Sequence, residues 1–331
     1  MRSKHIISRL LGIIGILSCL PYMTHAYSLR QFSNKDGLSN SAILSLYQDN
    51  QGVIWIGSCD GLNMYDGNSI HAYNPPNSSK TLLSGNLINN FMETGKNVLW
   101  IQTNYGLDRL DLKKTTSQSF VEFKDNRFMT KSKDNELFTL KDDGYFYYYQ
   151  QEKGTFRKLE VPQPAFEYIL STTIDANNIL WVFTSNNDNR SYQINKTKEG
   201  LSLTPNHLFK HSEKLRWAFP EGQLVYFIDE TYSLYEYDFN NQQQYFIADL
   251  KTEIEKRGEV SSIIKQQNDY YIGFKNSGLI VLKYMSDQKI KYQIQSTEIH
   301  SGIFCLMKDK YQDIVWVGTD GQGVYMYFND A

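Results

Sequence analysis

Four histidines follow residue 26: His71, His207, His211 and His300. His207 and His211 stand four apart, the spacing that puts two imidazoles on one helical face to hold zinc. The surrounding NHLFKHSEK has no glutamate placed to act as the general base, so they read as loop histidines between repeats. There is no Gly-x-Ser-x-Gly elbow to expose a nucleophilic serine, and no phosphate-cradling loop or dinucleotide fingerprint. Asp and Glu number 36, so a pair flanking a glycosidic bond is chemically available. Many of them, such as Asp49, Asp60, Asp66, Asp111 and Asp238, fall at turns, where a carboxylate serves its own backbone. No catalytic residue, metal-ligand set or cofactor motif is read from the chain.

The elements that would position any functional group recur on a period. DNQGVIWIGSCDGLNMYDG at 49–67 contains a turn, a strand carrying an aromatic, a glycine turn and another strand. Seven such units align on the anchors Trp55, Trp100, Phe138, Trp181, Tyr226, Tyr271 and Trp316, spaced 45, 38, 43, 45, 45 and 45 residues apart. A fixed period of this size with several short strands per unit marks a β-propeller. The expected fold is all-β: seven blades of four antiparallel strands over 27–331. In blade 1 the strands read as 42–48, 53–57, 62–65 and 69–73. An aromatic repeated in every unit reads as packing between blades, not as a platform for sugars. The seventh unit ends after its third strand (323–328), while SLRQF at 28–32 resembles outer strands such as SIHAY at 69–73. The N-terminal strand is therefore expected to complete blade 7 and remove an open edge. Helix is expected only as a short turn at 250–258.

Propellers gather the loops after each second strand, and those between blades, on one face around the channel. Here they bring Asn104 and Tyr105, Lys141 and Asp142, Asn186 and Asn187, Asp229 and Tyr232, Lys275 and Asn276, and Asp320 and Gln322, with Asp60 in blade 1. These groups suit sugar hydroxyls through hydrogen bonds and stacking, which makes them the candidate ligand-binding residues. They are also ordinary turn formers, and the same face could dock a second propeller or a second copy of the chain. Blades 3 to 5 have drifted from the repeat, and loops vary without breaking a scaffold. Specificity is accordingly expected at 141–143, 186–190 and 229–232.

The first 26 residues read as a signal peptide: Arg2, Lys4 and Arg9, an apolar run from Leu10 to Leu20, then Pro21 and a small-residue site before Tyr27. Eleven apolar residues are too few to span a bilayer, although an uncleaved anchor or, through Cys19, a lipoprotein are the alternatives. Cleavage leaves 31 basic against 36 acidic residues, taking the formal charge from −2 to −5. With no basic stripe, a nucleic-acid surface is not expected. Cys59 and Cys305 fall in neighbouring blades. A bridge between them is conceivable, but Cys305 reads better as a small core residue.

The run Gly37-Leu38-Ser39-Asn40, Asp49 and Gly52, Trp55-Ile56-Gly57-Ser58, Gly61-Leu62 and Tyr65-Asp66 resembles the two-component regulator propeller repeat. The last repeat is similar, with Asp309, Trp316-Val317-Gly318-Thr319, Gly323 and Tyr325. Such propellers form the periplasmic sensor part of hybrid two-component histidine kinases of gut Bacteroidetes, where they respond to oligosaccharides and control glycan-utilisation genes. The resemblance implies a non-catalytic periplasmic sensor domain. It extends only to the first propeller of such a sensor. No kinase, receiver or DNA-binding module is read here, so kinase activity is not carried over. The chain reads either as part of a longer regulator or as a free periplasmic homologue. The alternative function is a periplasmic hydrolase or lyase acting on polysaccharide. The Asp turns do resemble the Asp-box of sialidases, but the arginine cluster those enzymes need is missing.

Overall fold

The computed structural model describes residues 27–73, 83–124, 128–160, 165–286 and 291–329. The leader read at 1–26 lies outside them. The described residues form seven four-stranded antiparallel sheets, the blades of a propeller. Blade 1 consists of Ile43–Gln48, Ile54–Ser58, Gly61–Tyr65 and Ile70–Ala72, every boundary within one residue of the sequence reading. The innermost strands of consecutive blades pack on one another all round the ring.

There is no single core. The buried apolar side chains fall into seven clusters, one per seam, and each seam holds the anchor of the preceding blade. Trp55 packs with Ile88 and Phe91 of blade 2. Trp181 packs with Leu215 and Ala218 of blade 5, and Trp316 with Ile43 and Ile54 of blade 1. All seven anchors are buried, because both faces of a blade are covered and the second strand lies deep within it.

The anchors are also latched. Asp49 accepts from the turn amides of Gln51 and Val53 through Oδ1 and from the Trp55 indole through Oδ2 at 2.9 Å. Asp175 holds Trp181 in the same way at 3.0 Å, and Asp309 holds Trp316 at 3.0 Å. Blade 2 substitutes the Thr94 hydroxyl, which accepts from Trp100 at 2.8 Å. The turn aspartate therefore satisfies its own backbone, as read from the sequence, and a buried indole N–H that would otherwise be orphaned.

The Gly-Leu-Ser stretch has a comparable part. The Ser39 amide donates to Asn63 on the third strand of blade 1 at 2.9 Å. In blade 2 the Ser84 amide donates to the buried Asp108 at 2.9 Å. These bonds tie the crossing between blades to the middle of the sheet it enters.

The ring closes as expected. Tyr27–Phe32 pairs antiparallel with Val324–Asn329, in a register running from Tyr27 opposite Asn329 to Phe32 opposite Val324. Phe32 is buried against Trp316 of blade 7 and Tyr65 of blade 1. Gly323, at φ 75°, passes so close that a Cβ would lie 2.0 Å from the Phe32 carbonyl oxygen. Helix α1, Lys251–Arg257, sits between blades 5 and 6 and ends on Gly258 at φ 84°. Cys59 and Cys305 are both free thiols. Burial pushes the Cys305 thiol up to about 12, in keeping with its packing beneath Gly318.

Candidate ligand-binding site

On the face carrying the loops after the second strands, a cavity of about 350 Å³ opens where blades 4, 5 and 6 meet. Trp217 lines it from the innermost strand of blade 5, with Arg216 beside it. Glu230, Glu259 and Lys275 reach it from the loops of blades 5 and 6. Trp217 is half-buried and stacks on Phe219 two residues along, with centroids 5.5 Å apart and planes 7° from parallel.

An irregularity places this ring. The innermost strand of blade 5 shifts register between Leu215 and Trp217, and such a bulge re-aims the residue that follows it. Matching shifts occur in blades 1, 2, 4, 6 and 7, where the residue after the shift is Ser45, Asn90, Ser171, Ser262 or Cys305. Only blade 5 presents a large aromatic ring among these six.

Charge surrounds the ring. Arg216 Nη2 pairs with Glu259 Oε1 at 2.5 Å, and the guanidinium lies 4.4 Å from the centroid of Tyr232. Helix α1 fixes the approach to Glu259. Its buried Arg257 bonds to Glu253 at 2.6 Å and to Ser296 at 2.9 Å. The Lys275 amide donates to the Glu259 carbonyl at 2.8 Å, tying the two rim residues together. Partly exposed ion pairs contribute little stability. An aromatic face edged by both charge signs has the chemistry to stack on a sugar ring and bond its hydroxyls.

The candidate residues from the sequence lie around this face, and a subset meets at the cavity. Lys275 lines it, Tyr232 lies under Arg216, and Asn186 and Asn187 follow Ser185, which forms its edge. Asn276 is exposed beside Gly258. Asn104, Tyr105, Lys141, Asp142, Asp320 and Gln322 sit on other blades. Tyr105 and Asp142 are exposed, and Lys141 lies 5.7 Å from the Tyr147 ring centroid. Asn104 Oδ1 accepts from the Leu87 amide at 3.3 Å, and Gln322 Oε1 from the Tyr325 hydroxyl at 3.0 Å.

Asp229 points inward. It is buried and accepts from Thr231, Ser233 and His211, the last at 3.1 Å. Burial pulls its pKa upward, but the bonds from Thr231, His211 and Ser233 outweigh this and hold it below the usual carboxylate range. His211, read as a loop histidine, is a buried strut packed on Phe227 and Tyr235. Trp217 and Arg216 were not among the candidates. The available signal was that Trp217 is the one tryptophan off the anchor period.

Residues 37–60 match the two component regulator propeller family. A histidine kinase P4 of Formosa agariphila is 35% identical over 77 residues, covering 20% of this chain and 6% of that protein. The extracellular domain of the hybrid two component system BT3049 from B. thetaiotaomicron superposes with a TM-score of 0.65 at 18% identity, over 92% of this chain and 42% of that one. The corresponding domain of BT4673 from the same organism gives 0.61 at 20% identity, over 91% and 39%. The chain thus spans about two fifths of these solved chains and a small part of the kinase. A chain of a mitotic checkpoint complex also superposes, at 0.60 and 10% identity, so the architecture by itself does not specify a function. The resemblance read from the repeat motifs agrees with the family match. Among the described residues no helix is long and apolar enough to cross a membrane.

Proposed function

We propose that this chain is the sensing propeller of a two-component regulatory system, exported to the periplasm, and that it binds oligosaccharide without transforming it. The family match at 37–60, within a propeller shared with extracellular domains of hybrid two component systems, supports the sensor reading. The observation that carries the ligand class is Trp217, a half-buried ring over a cavity edged by Arg216, Glu230, Glu259 and Lys275. Blades 4 and 5, on this rim, are also among those whose repeat has drifted, as suits a specificity surface.

The test is to incubate the purified chain with a panel of neutral and acidic oligosaccharides, measuring thermal midpoint and product together. A ligand that binds only the folded state raises the midpoint. Trp217→Ala should abolish that shift, since base-like or sugar-like stacking on an aromatic is lost with the ring. Midpoint shifts that survive Trp217→Ala count against the site. Turnover that disappears in Glu230→Gln would replace the sensor reading with that of a hydrolase or lyase.

A further inference from the structure

On the opposite face, the turns of blades 2, 3 and 4 enclose a cavity of about 660 Å³, within the usual size of a small-molecule site. Arg109 reaches it from the third strand of blade 2, its guanidinium 5.8 Å from the centroid of Tyr149. Its buried Nε has no hydrogen-bond partner among the described residues, and no carboxylate of theirs forms an ion pair with it.

The ring supplies its own comparison. Arg109 faces the anchor Trp100 across the sheet. The corresponding residues are Met64 facing Trp55 and Met326 facing Trp316, where the position is apolar. Blade 5 has Glu236 facing Tyr226, the other charge in this series. Glu236 is fully answered across its seam by Lys265 at 2.9 Å and Tyr270 at 2.5 Å. Arg109 has no such answer. Of the cavity's own carboxylates, Asp134 and Glu136 are engaged by Lys196, at 2.9 and 3.6 Å, and Glu152 lines it without an ion pair to Arg109. Arg109 is half-buried, a buried N–H left without an acceptor is costly, and the guanidinium's fork of donors fits a carboxylate in bidentate fashion.

We propose that this cavity binds the carboxylate of an acidic sugar, a uronate, with Arg109 as its partner and Tyr149 and Leu137 as the apolar wall. The carboxylate rests on Arg109 alone, whereas the sugar rests on the oligosaccharide reading above.

Digalacturonate is the probe, titrated into the full chain by calorimetry. Arg109→Met is the variant, since methionine is what blades 1 and 7 place there, and an unchanged or raised thermal midpoint will show that it folds. The expected result is binding that weakens with salt and falls about tenfold to a hundredfold in Arg109→Met, the loss of a charge-assisted pair. The dimethyl ester, without the charge, should not compete. Absence of digalacturonate binding, equal binding by Arg109→Met, or equal binding of the ester overturns the proposal. Acetate binding as tightly as digalacturonate overturns the sugar assignment. Neutral oligosaccharides that bind through Trp217 while digalacturonate does not would sink this inference and leave the sensor reading standing. Digalacturonate binding lost with Arg109 but unaffected by Trp217→Ala supports it independently of the other cavity.

Discussion

Phe32 is the side chain on which ring closure can be measured. It arrives on the N-terminal strand yet lies between two blades, with its ring centroid 5.3 Å from Tyr65 of blade 1 and 6.5 Å from Trp316 of blade 7. Cutting a buried phenylalanine back to alanine costs about 3–5 kcal/mol, transfer and cavity terms together. Tyr65 and Trp316 are each held in their own sheet, opposite Ile54 and Met326, so neither can collapse far into the gap. The upper part of that range is therefore expected for Phe32→Ala. At about 2 °C per kcal/mol for a chain of this size, the midpoint should fall by about 8–10 °C. Urea unfolding followed by tryptophan emission measures the free energy directly.

Deletion adds the edge to the packing. A chain beginning at Asn34, compared with one beginning at Tyr27, loses all six paired residues of the closing strand and exposes Val324–Asn329. Exposed edges pair with other chains, so light scattering should rise as the midpoint falls. A peptide of residues 27–33 added in trans should restore part of the loss, because it binds only the folded ring. A loss below about 1 kcal/mol in Phe32→Ala, together with an unchanged midpoint in the shortened chain, would refute closure by this strand.

Removing the latch in Asp309→Ala strands the Trp316 indole, the Tyr311 and Gln312 amides and the Gln48 amide group, at a cost of about 1–3 kcal/mol; urea midpoints check it, and no change would make the latch incidental. Asp108 is held above the usual carboxylate range by burial, which its bonds from Ser119 and Ser84 only partly offset. A raised folded pKa means stability that is present below the unfolded value of about 3.9 and lost as pH rises through the folded value. Asp108→Asn, the amide blade 1 carries as Asn63, should therefore raise the midpoint at pH 7, with the gain shrinking toward pH 4. A lowered midpoint at pH 7 counts against this. Gly57→Ala would place a Cβ 2.2 Å from Ser45 Oγ and 2.6 Å from Ile88, and overpacking of that kind costs about 1–3 kcal/mol; thermal denaturation should show it, and an unshifted midpoint would mean the seam can yield.

Much of the fold was legible because its signals are local. The anchors, the Asp and Gly turns and the helical stretch ending in Lys256, Arg257 and Gly258 lie within a few residues of what they determine. Closure was legible too, since a surplus strand at one terminus matched a deficit at the other. The site was less legible, because it forms between blades. Arg216 and Glu259 are 43 residues apart and meet only when blades 5 and 6 pack. Asp229 reads as an exposed loop residue, yet His211, 18 residues earlier, folds over it and draws it inward. Trp217 was not singled out, because nothing in its local sequence shows that the ring lies beside a cavity formed by blades 4 to 6.

The seams also bear on where these two cavities open. Gly57, Gly273 and Gly318 occupy the same place in blades 1, 6 and 7, and each leaves room for an isoleucine of the next innermost strand: Ile88, Ile303 and Ile43. Blades 2 to 5 carry Gln102, Leu140, Phe183 and Ile228 there, which fills the notch and obliges the next innermost strand to enter differently. Blade 3 answers with an innermost strand of only three residues, Met129–Lys131, and blade 5 sets Trp217 just after the bulge that it shares with five other blades. The 660 Å³ cavity lies against blades 2 to 4 and the 350 Å³ cavity against blades 4 to 6. Glycine does not seal a seam, since a space of about 290 Å³ remains beside Trp316 where blades 7 and 1 meet. What the drifted seams add is a half-buried ring at one, Trp217, and a charge without an ion-pair partner at the other, Arg109. A repeat that needs only to pack on its neighbours tolerates such changes without loss of the ring, so binding groups can accumulate there while blades 1 and 7 keep the closure intact.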